Sequence, residues 1–261
     1  MKQRKAMLLQ LAILGILGAG VLVSLALPSR GLLEPSQQVI EISVIARDED
    51  DVYWENTKIG MEQAAREAGA ELRFLYLSRP NAQEEQMELM NREAQRGAQA
   101  FIVAPVSDAC VETFVQEGGK VPVISMESCA AGAAAWIAPD QAALGTALAQ
   151  EILEDGAPEC ALLLDTAENN SAVSQRLEAV KATLHQQGVK TARMRIAAQE
   201  LTSQSFLWAQ PSYDVVIVAE PAAAEALVKK KTELQLSQRL YGVGISDAIA
   251  LALEEESLSA C

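Results

Sequence analysis

Val39-Ile40-Glu41-Ile42-Ser43-Val44-Ile45-Ala46, followed by Asp51-Val52-Tyr53-Trp54-Glu55-Asn56-Thr57-Lys58-Ile59-Gly60, is the stretch on which the fold turns. The first part is an apolar run of strand length. The second begins a helix, with two aromatics side by side where a strand would hand over to it. Open α/β sheets bind ligands just outside the carboxyl ends of their strands. An exposed Tyr53-Trp54 pair at that edge offers flat apolar faces to a ring. The whole chain holds only three Trp and four Tyr, so this placement points to a site. The competing reading is a helix N-terminus that packs its aromatics inward. The remainder of the chain favours the site.

Outward from this stretch, strand and helix alternate. Residues 53–68 read as a helix stopped by Gly69, 71–77 (ELRFLYL) as a strand, and 82–96 as a helix with Met87, Met90 and Ala94 on one face, stopped by Gly97. Residues 100–104 (AFIVA) are a short apolar strand, and Asp108 is the expected cap of the next helix, which ends near Gly118-Gly119. Strands at 121–126 (VPVISM) and 134–138 (AAWIA) close this half. The alternation then restarts: helices at 141–153, 171–187, 222–231 and 247–256 interleave with strands at 159–164, 191–197, 214–219 and 239–244. Short apolar strands between amphipathic helices mean parallel sheets covered on both faces. The expected fold is α/β, in two successive doubly wound, Rossmann-like lobes: an N-terminal lobe over 39–139 and a C-terminal lobe over 140–261, with the boundary near Asp140.

The chain has 261 residues, half of them apolar, and a net charge of −14. Three of the basic residues, Lys2, Arg4 and Lys5, lie in the first five positions, so the body is more acidic still. An acidic body argues against nucleic acid, whose phosphates need basic surface. Lys2, Arg4 and Lys5 precede an apolar run, Ala6 to Leu27, in which only Gln10 and Ser24 are polar. A run of about 20 such residues can span a bilayer, and basic charge before it sends the remainder outward. Residues 1–27 are therefore expected to be a signal anchor (a transmembrane helix) or a cleaved signal peptide; Ser24-Leu25-Ala26 offers small residues at a cleavage spacing. Residues 28–38, with Pro28, Gly31 and Pro35, read as the linker. The protein is expected outside the cytoplasm, membrane-anchored or secreted into a periplasm.

Enzymatic signals are poor. The single His, His185, sits in a polar-faced helix and reads as a surface residue. No Gly-x-Ser-x-Gly elbow, no phosphate loop and no metal-ligand spacing is present. The acidic run Asp48-Glu49-Asp50-Asp51 lacks the spacing of a calcium loop. Neither cofactor nor metal is expected, and no catalytic residue. Cys110, Cys129, Cys160 and Cys261 are too widely spaced for a disulfide framework. A Cys110–Cys129 bridge is conceivable, but two buried free thiols fit better.

Five segments, in order, carry a resemblance. They are the first strand with Asp51-x-Tyr53-Trp54, Gly60, Ala64-Ala65 and Gly69; Arg96-Gly97-Ala98-Gln99-Ala100-Phe101-Ile102-Val103-Ala104-Pro105; Val121-Pro122-Val123-Ile124-Ser125-Met126-Glu127-Ser128; Trp136-Ile137-Ala138-Pro139-Asp140-Gln141-Ala142-Ala143-Leu144-Gly145; and Tyr241-Gly242-Val243-Gly244-Ile245-Ser246-Asp247. The chain resembles the type I periplasmic substrate-binding proteins of the ribose and galactose group, relatives of the ligand-binding part of the lactose repressor. The resemblance implies a bacterial binding protein that is no enzyme and that captures a small polar, carbohydrate-like ligand between two lobes. It further implies presentation of the closed form to an ABC importer or to a sensor histidine kinase. A ligand-responsive transcription regulator is a further alternative, although no helix-turn-helix precedes residue 39.

By the same resemblance, Tyr53 and Trp54 stack on the ligand and Asp51 accepts its hydroxyl hydrogens. Glu127 falls on a ligand-binding acid, and Ser128 where ribose binders often carry Arg. Arg176 falls on a second-lobe arginine that contacts ligand; a helix-face salt bridge with Glu178 or another neighbour is its structural alternative. Glu220 falls on a position often held by Asn, and Ser246 on a late-strand Asp. The family also returns to its first lobe after the last helix, whereas this sequence stops at Leu258-Ser259-Ala260-Cys261. Exposed apolar surface on the first lobe and reduced stability are therefore expected.

Overall fold

The computed structural model describes residues 15–17, 21, 39–47, 52–79, 82–167, 170–196, 200–202, 213–234, 236–244 and 246–261, without the side chains of residues 52, 53, 202 and 234. The chain divides into two units, Met1–Ile40 and Glu41–Cys261. In the first, residues 15–17 and 21 are helical, and Ile16, Leu17 and Val21 are exposed. The remainder of the expected anchor or signal peptide and the expected linker lie outside the described residues. Among the described residues no helix is long and apolar enough to cross a membrane.

The second unit alternates as the apolar pattern demands. Its strands are β1 (Ile40–Ala46), β2 (Ala70–Tyr76), β3 (Ala100–Val103), β4 (Val123–Met126), β5 (Ala135–Ile137), β6 (Cys160–Asp165), β7 (Lys190–Arg195), β8 (Val215–Val218) and β9 (Arg239–Tyr241). Its helices are α1 (Val52–Ala68), α2 (Gln83–Arg96), α3 (Asp108–Gln116), α4 (Gln141–Glu154), α5 (Ser171–Gln186), α6 (Pro221–Leu234) and α7 (Asp247–Glu254). One sheet has the order β2-β1-β3-β4-β5 and the other β7-β6-β8-β9. The pairs β1/β3, β3/β4 and β4/β5 are parallel, as are all three pairs of the second sheet.

Successive strand residues point to opposite faces, so a sheet covered on both sides must be apolar at every position. β6 and β8 show this: Ala161, Leu163, Val215 and Ile217 enter one core with α4 and α5. Leu162, Leu164, Val216 and Val218 enter the other with α6 and α7. In the first sheet Ile45, Phe101 and Val103 pack on α2 and α3, while Val44, Ala46 and Met126 pack on α1.

The starts of α3, α4, α5 and α7 carry side-chain caps, with one correction to the expected set. Ser107, not Asp108, caps α3: its backbone is extended and its Oγ accepts the Ala109 N–H. Either residue type caps well, so backbone conformation decides. Asp108 then lies inside the first turn, and its carboxylate is turned to the other lobe, where Oδ2 accepts the Ser171 N–H at 2.8 Å. The cysteines are free, but only Cys110 is buried; Cys129, expected inside, is exposed. His185 is exposed and its Nε2 lies 2.7 Å from Thr191 Oγ1. At the chain end Ala260 bridges Tyr241 in parallel, extending the second sheet beyond β9. Apolar surface is exposed on the first lobe: at edge strand β5, Trp136 is 59% and Ile137 68% exposed.

Glu93 of α2 is buried and bonds Ser43 Oγ, Arg73 and Arg96. Burial works to raise its pKa, but the two guanidinium groups outweigh burial and hold it below the usual carboxylate value. A carboxylate lowered in this way contributes stability above its unfolded pKa and loses it as pH falls through the folded value. Glu93→Gln is therefore expected to reduce stability near pH 7 by about 1–3 kcal/mol. The gap to the wild type should close as the pH falls through the folded value, which thermal melts across acid pH would show.

Candidate ligand-binding site

Parallel strands end together, and the residues just past their carboxyl ends meet at one edge of each sheet. Past β1 stands Arg47; past β4, Glu127 and Ser128; past β6, Thr166; past β8, Ala219 and Glu220. Arg47 Nη2 and the Glu127 carboxylate form an ion pair. Glu127 is a non-glycine residue in the left-handed region, φ 66°, a conformation held only where surroundings over-determine it. Its N–H donates to Ile137 O at 2.9 Å, and its carbonyl accepts Gln141 Nε2 at 2.7 Å.

The second lobe supplies Arg176 and Glu220. Arg176, in the second turn of α5, is 8% exposed. Its Nε donates to Gln141 Oε1 at 2.5 Å and its Nη1 to Ala219 O at 2.7 Å. The salt bridge with Glu178 offered as its alternative does not form; Glu178 pairs with Arg193 and Lys181 instead. Burial lowers the Arg176 pKa to about 10, helped by the nearby Arg47 and opposed by Glu220. Cations from both lobes thus share one low-dielectric region, and Arg176 still stays charged at neutral pH. Glu220 is 3% exposed and accepts the Thr166 Oγ1 hydroxyl. Across the lobes Asn170 Nδ2 donates to Pro105 O and Val106 O while its Oδ1 caps α5.

The positions singled out in the sequence fare unequally. Glu127, Arg176 and Glu220 converge. Ser128 is 2% exposed, and its Oγ is a buried hydroxyl without a hydrogen-bond partner. Trp54 is not the exposed platform expected: it is 5% exposed and packs with Val44, Ala46 and Met126. Its Nε1 is buried and lacks a partner. The indole is drawn inward because α1 must cover the apolar face of β1. Tyr53 belongs to α1 with its side chain outside the described residues, and Asp51 lies outside them altogether. Ser246 caps α7, its Oγ accepting the Ile249 N–H at 3.2 Å, so its hydroxyl is already engaged. Trp54 and Arg176 belong to one region: Trp54 packs on Met126, the next residue is Glu127, and Gln141 links Glu127 to Arg176.

Sequence reasoning overlooked Arg47 and Gln141. Arg47 is a lone cation just past an apolar strand, and the strand-end rule applied to every strand would have found it. Gln141 carried no such signal, because its role depends on a partner 35 residues away.

Comparison with known proteins bears on this geometry. The family model described as periplasmic binding protein domain matches residues 42–261. The chain belongs to the periplasmic binding protein domain family. It is a ligand-binding protein and not an enzyme. An ABC sugar transporter periplasmic sugar-binding protein from Legionella pneumophila is 16% identical, with TM-score 0.70 over 84% of this chain and 87% of that one. A carbohydrate transporter solute-binding protein from Agrobacterium radiobacter, in complex with D-arabinose, is 15% identical, with TM-score 0.72 over 85% and 82%. The XylFII-LytSN complex gives 14% identity and TM-score 0.69 over 84% and 85%. At these identities the likeness carries the fold. A comparison with curated protein sequences finds no match. In this periplasmic binding protein, charged side chains of both lobes, Glu127 and Arg47 from the first and Glu220 and Arg176 from the second, lie near the strand ends.

Proposed function

We propose that this chain is an extracytoplasmic solute-binding protein that captures a small polar ligand, a sugar or related polyol, between its lobes. The proposed contacts are Arg47, Asp51, Tyr53, Trp54, Glu127, Ser128, Arg176 and Glu220. The observation that carries the reading is the meeting of Arg47 and Glu127 from one sheet with Arg176 and Glu220 from the other. A ligand that touches both sets favours the closed arrangement, so binding is reported as a population shift. The closed form is then presented to an ABC importer, as the names of the Legionella and Agrobacterium neighbours support. The XylFII-LytSN neighbour, a two-protein assembly, supports the second reading, a sensor histidine kinase partner. Residues 1–27 serve as the membrane anchor or as a cleaved signal peptide.

A thermal-shift panel of pentoses, hexoses, inositols and nucleosides tests the reading. A ligand at 100 times its dissociation constant adds about 2.7 kcal/mol of stability; a panel without any shift sinks it. Within that panel Trp54→Phe separates two roles for the indole. Phe keeps most of the packing and removes the orphaned N–H. If the N–H donates to ligand, affinity falls about 2- to 10-fold, one ordinary hydrogen bond, with the melting temperature nearly unchanged. Unchanged affinity would return Trp54 to the core.

A further inference from the structure

We infer that Gln141 is a positioning residue that locks the acid of one lobe and the cation of the other into a single arrangement; this rests on the ligand site proposed above. Gln141 is the first residue of α4, where the chain has just left the first lobe, and it is 4% exposed. Both ends of its amide are engaged. Nε2 donates to Glu127 O at 2.7 Å, and Oε1 accepts from Arg176 Nε at 2.5 Å. A backbone carbonyl only accepts and a guanidinium only donates, so the amide has one permitted orientation.

Each partner is thereby constrained. The Glu127 peptide, already held at φ 66°, gains a donor on its carbonyl, which fixes the direction in which the Glu127 side chain leaves the chain. The Arg176 guanidinium is fixed by two of its three nitrogens, Nε on Gln141 and Nη1 on Ala219 O. Its plane is thereby set. The near replacements do not do both jobs. Leu makes neither bond, Glu lacks the donor, and Asn is one methylene shorter. Gln141 touches the ligand contacts of both lobes, and through it a change at one is felt at the other.

The test uses the full-length protein labelled with 15N. The Arg176 Nε–H signal is identified by its loss in Arg176→Lys. In the wild type this proton should exchange slowly with solvent. In Gln141→Leu it should exchange at least ten-fold faster, and in Gln141→Glu it should stay slow, because a carboxylate still accepts it. In Gln141→Glu the Ser128 amide signal should move, since the Glu127 carbonyl loses its donor. Unchanged Arg176 Nε–H exchange in Gln141→Leu overturns the inference; should that variant not fold, an unmoved Ser128 amide in Gln141→Glu does so. D-arabinose, D-galactose and myo-inositol serve as binding probes. Any of them bound by the wild type should bind Gln141→Leu at least ten-fold more weakly, and equal affinity overturns the inference. Should the wild type bind none of the three, the sugar reading is weakened, while the exchange measurements still decide the role of Gln141.

Discussion

Arg176→Met is expected to weaken ligand binding by about 30-fold or more while moving the melting temperature little. In the proposed site this guanidinium serves the ligand more than the fold, so the two effects separate. It is 8% exposed, and the partners bonded to it, Gln141 Oε1 and Ala219 O, are neutral. Burying a charge without a bonded counter-ion is costly, and burial pulls its pKa down from 12.5 to about 10. That shift corresponds to roughly 3 kcal/mol against the folded state at neutral pH. Methionine removes this cost but orphans two acceptors, at about 1–3 kcal/mol each. These opposing terms nearly cancel in stability. In binding nothing cancels: loss of a buried, hydrogen-bonded charge at an interface costs about 2–5 kcal/mol. Calorimetric titration of any ligand found by the thermal-shift panel, with a melt of the free protein, reads both. Because the folded pKa of this base is lowered, its cost to the wild type is present at neutral pH and fades as pH rises through about 10. A variant that melts far below the wild type and binds ligand as tightly would make Arg176 a structural residue.

Gly145→Ala should destabilise the protein by about 3 kcal/mol, against the usual benefit of Ala over Gly in a helix. Gly145 lies in α4 where it crosses α5. A Cβ there would stand 2.2 Å from Arg176 O and 2.9 Å from Ala179 Cβ. The first obstacle is backbone, which cannot rotate away, so the helices must part. The carbonyl pushed aside belongs to Arg176, and ligand affinity should fall with stability. At roughly 2–4 °C per kcal/mol for a body of this size, the melting temperature drops by about 6–12 °C. Gly60, in the middle of α1, is the control. A Cβ there meets nothing within 4 Å, and Gly60→Ala should stabilise by about 0.5–1 kcal/mol. Equal melting temperatures for the two variants would refute the close approach of α4 and α5.

Both glycines fall in segments that carry the family resemblance, yet the sequence treats them alike. Only the crossing of two helices distinguishes them. The same holds for Trp54. Its place at the strand-to-helix handover was legible, but the direction of its ring was not: α1 has to cover Val44, Ala46 and Met126, and the largest apolar group available does so. Asp108 shows the limit at finer scale. Two capping residues stood side by side, and a backbone extended at Ser107 left the carboxylate of Asp108 free to reach Ser171 in the other lobe.

The order of strands and helices, their division into two parallel sheets and the family were determined by the sequence alone. Apolar periodicity, glycine stops and motif order act over a few neighbouring residues or along the chain, and folding does not change them. The makeup of the site was decided by tertiary structure. Arg47 meets Glu127 across 80 positions, and Arg176 meets Gln141 across 35. Such pairs exist only once parallel strands end at a common edge and two lobes face each other, because their partners are chosen by packing geometry and not by any neighbour in sequence.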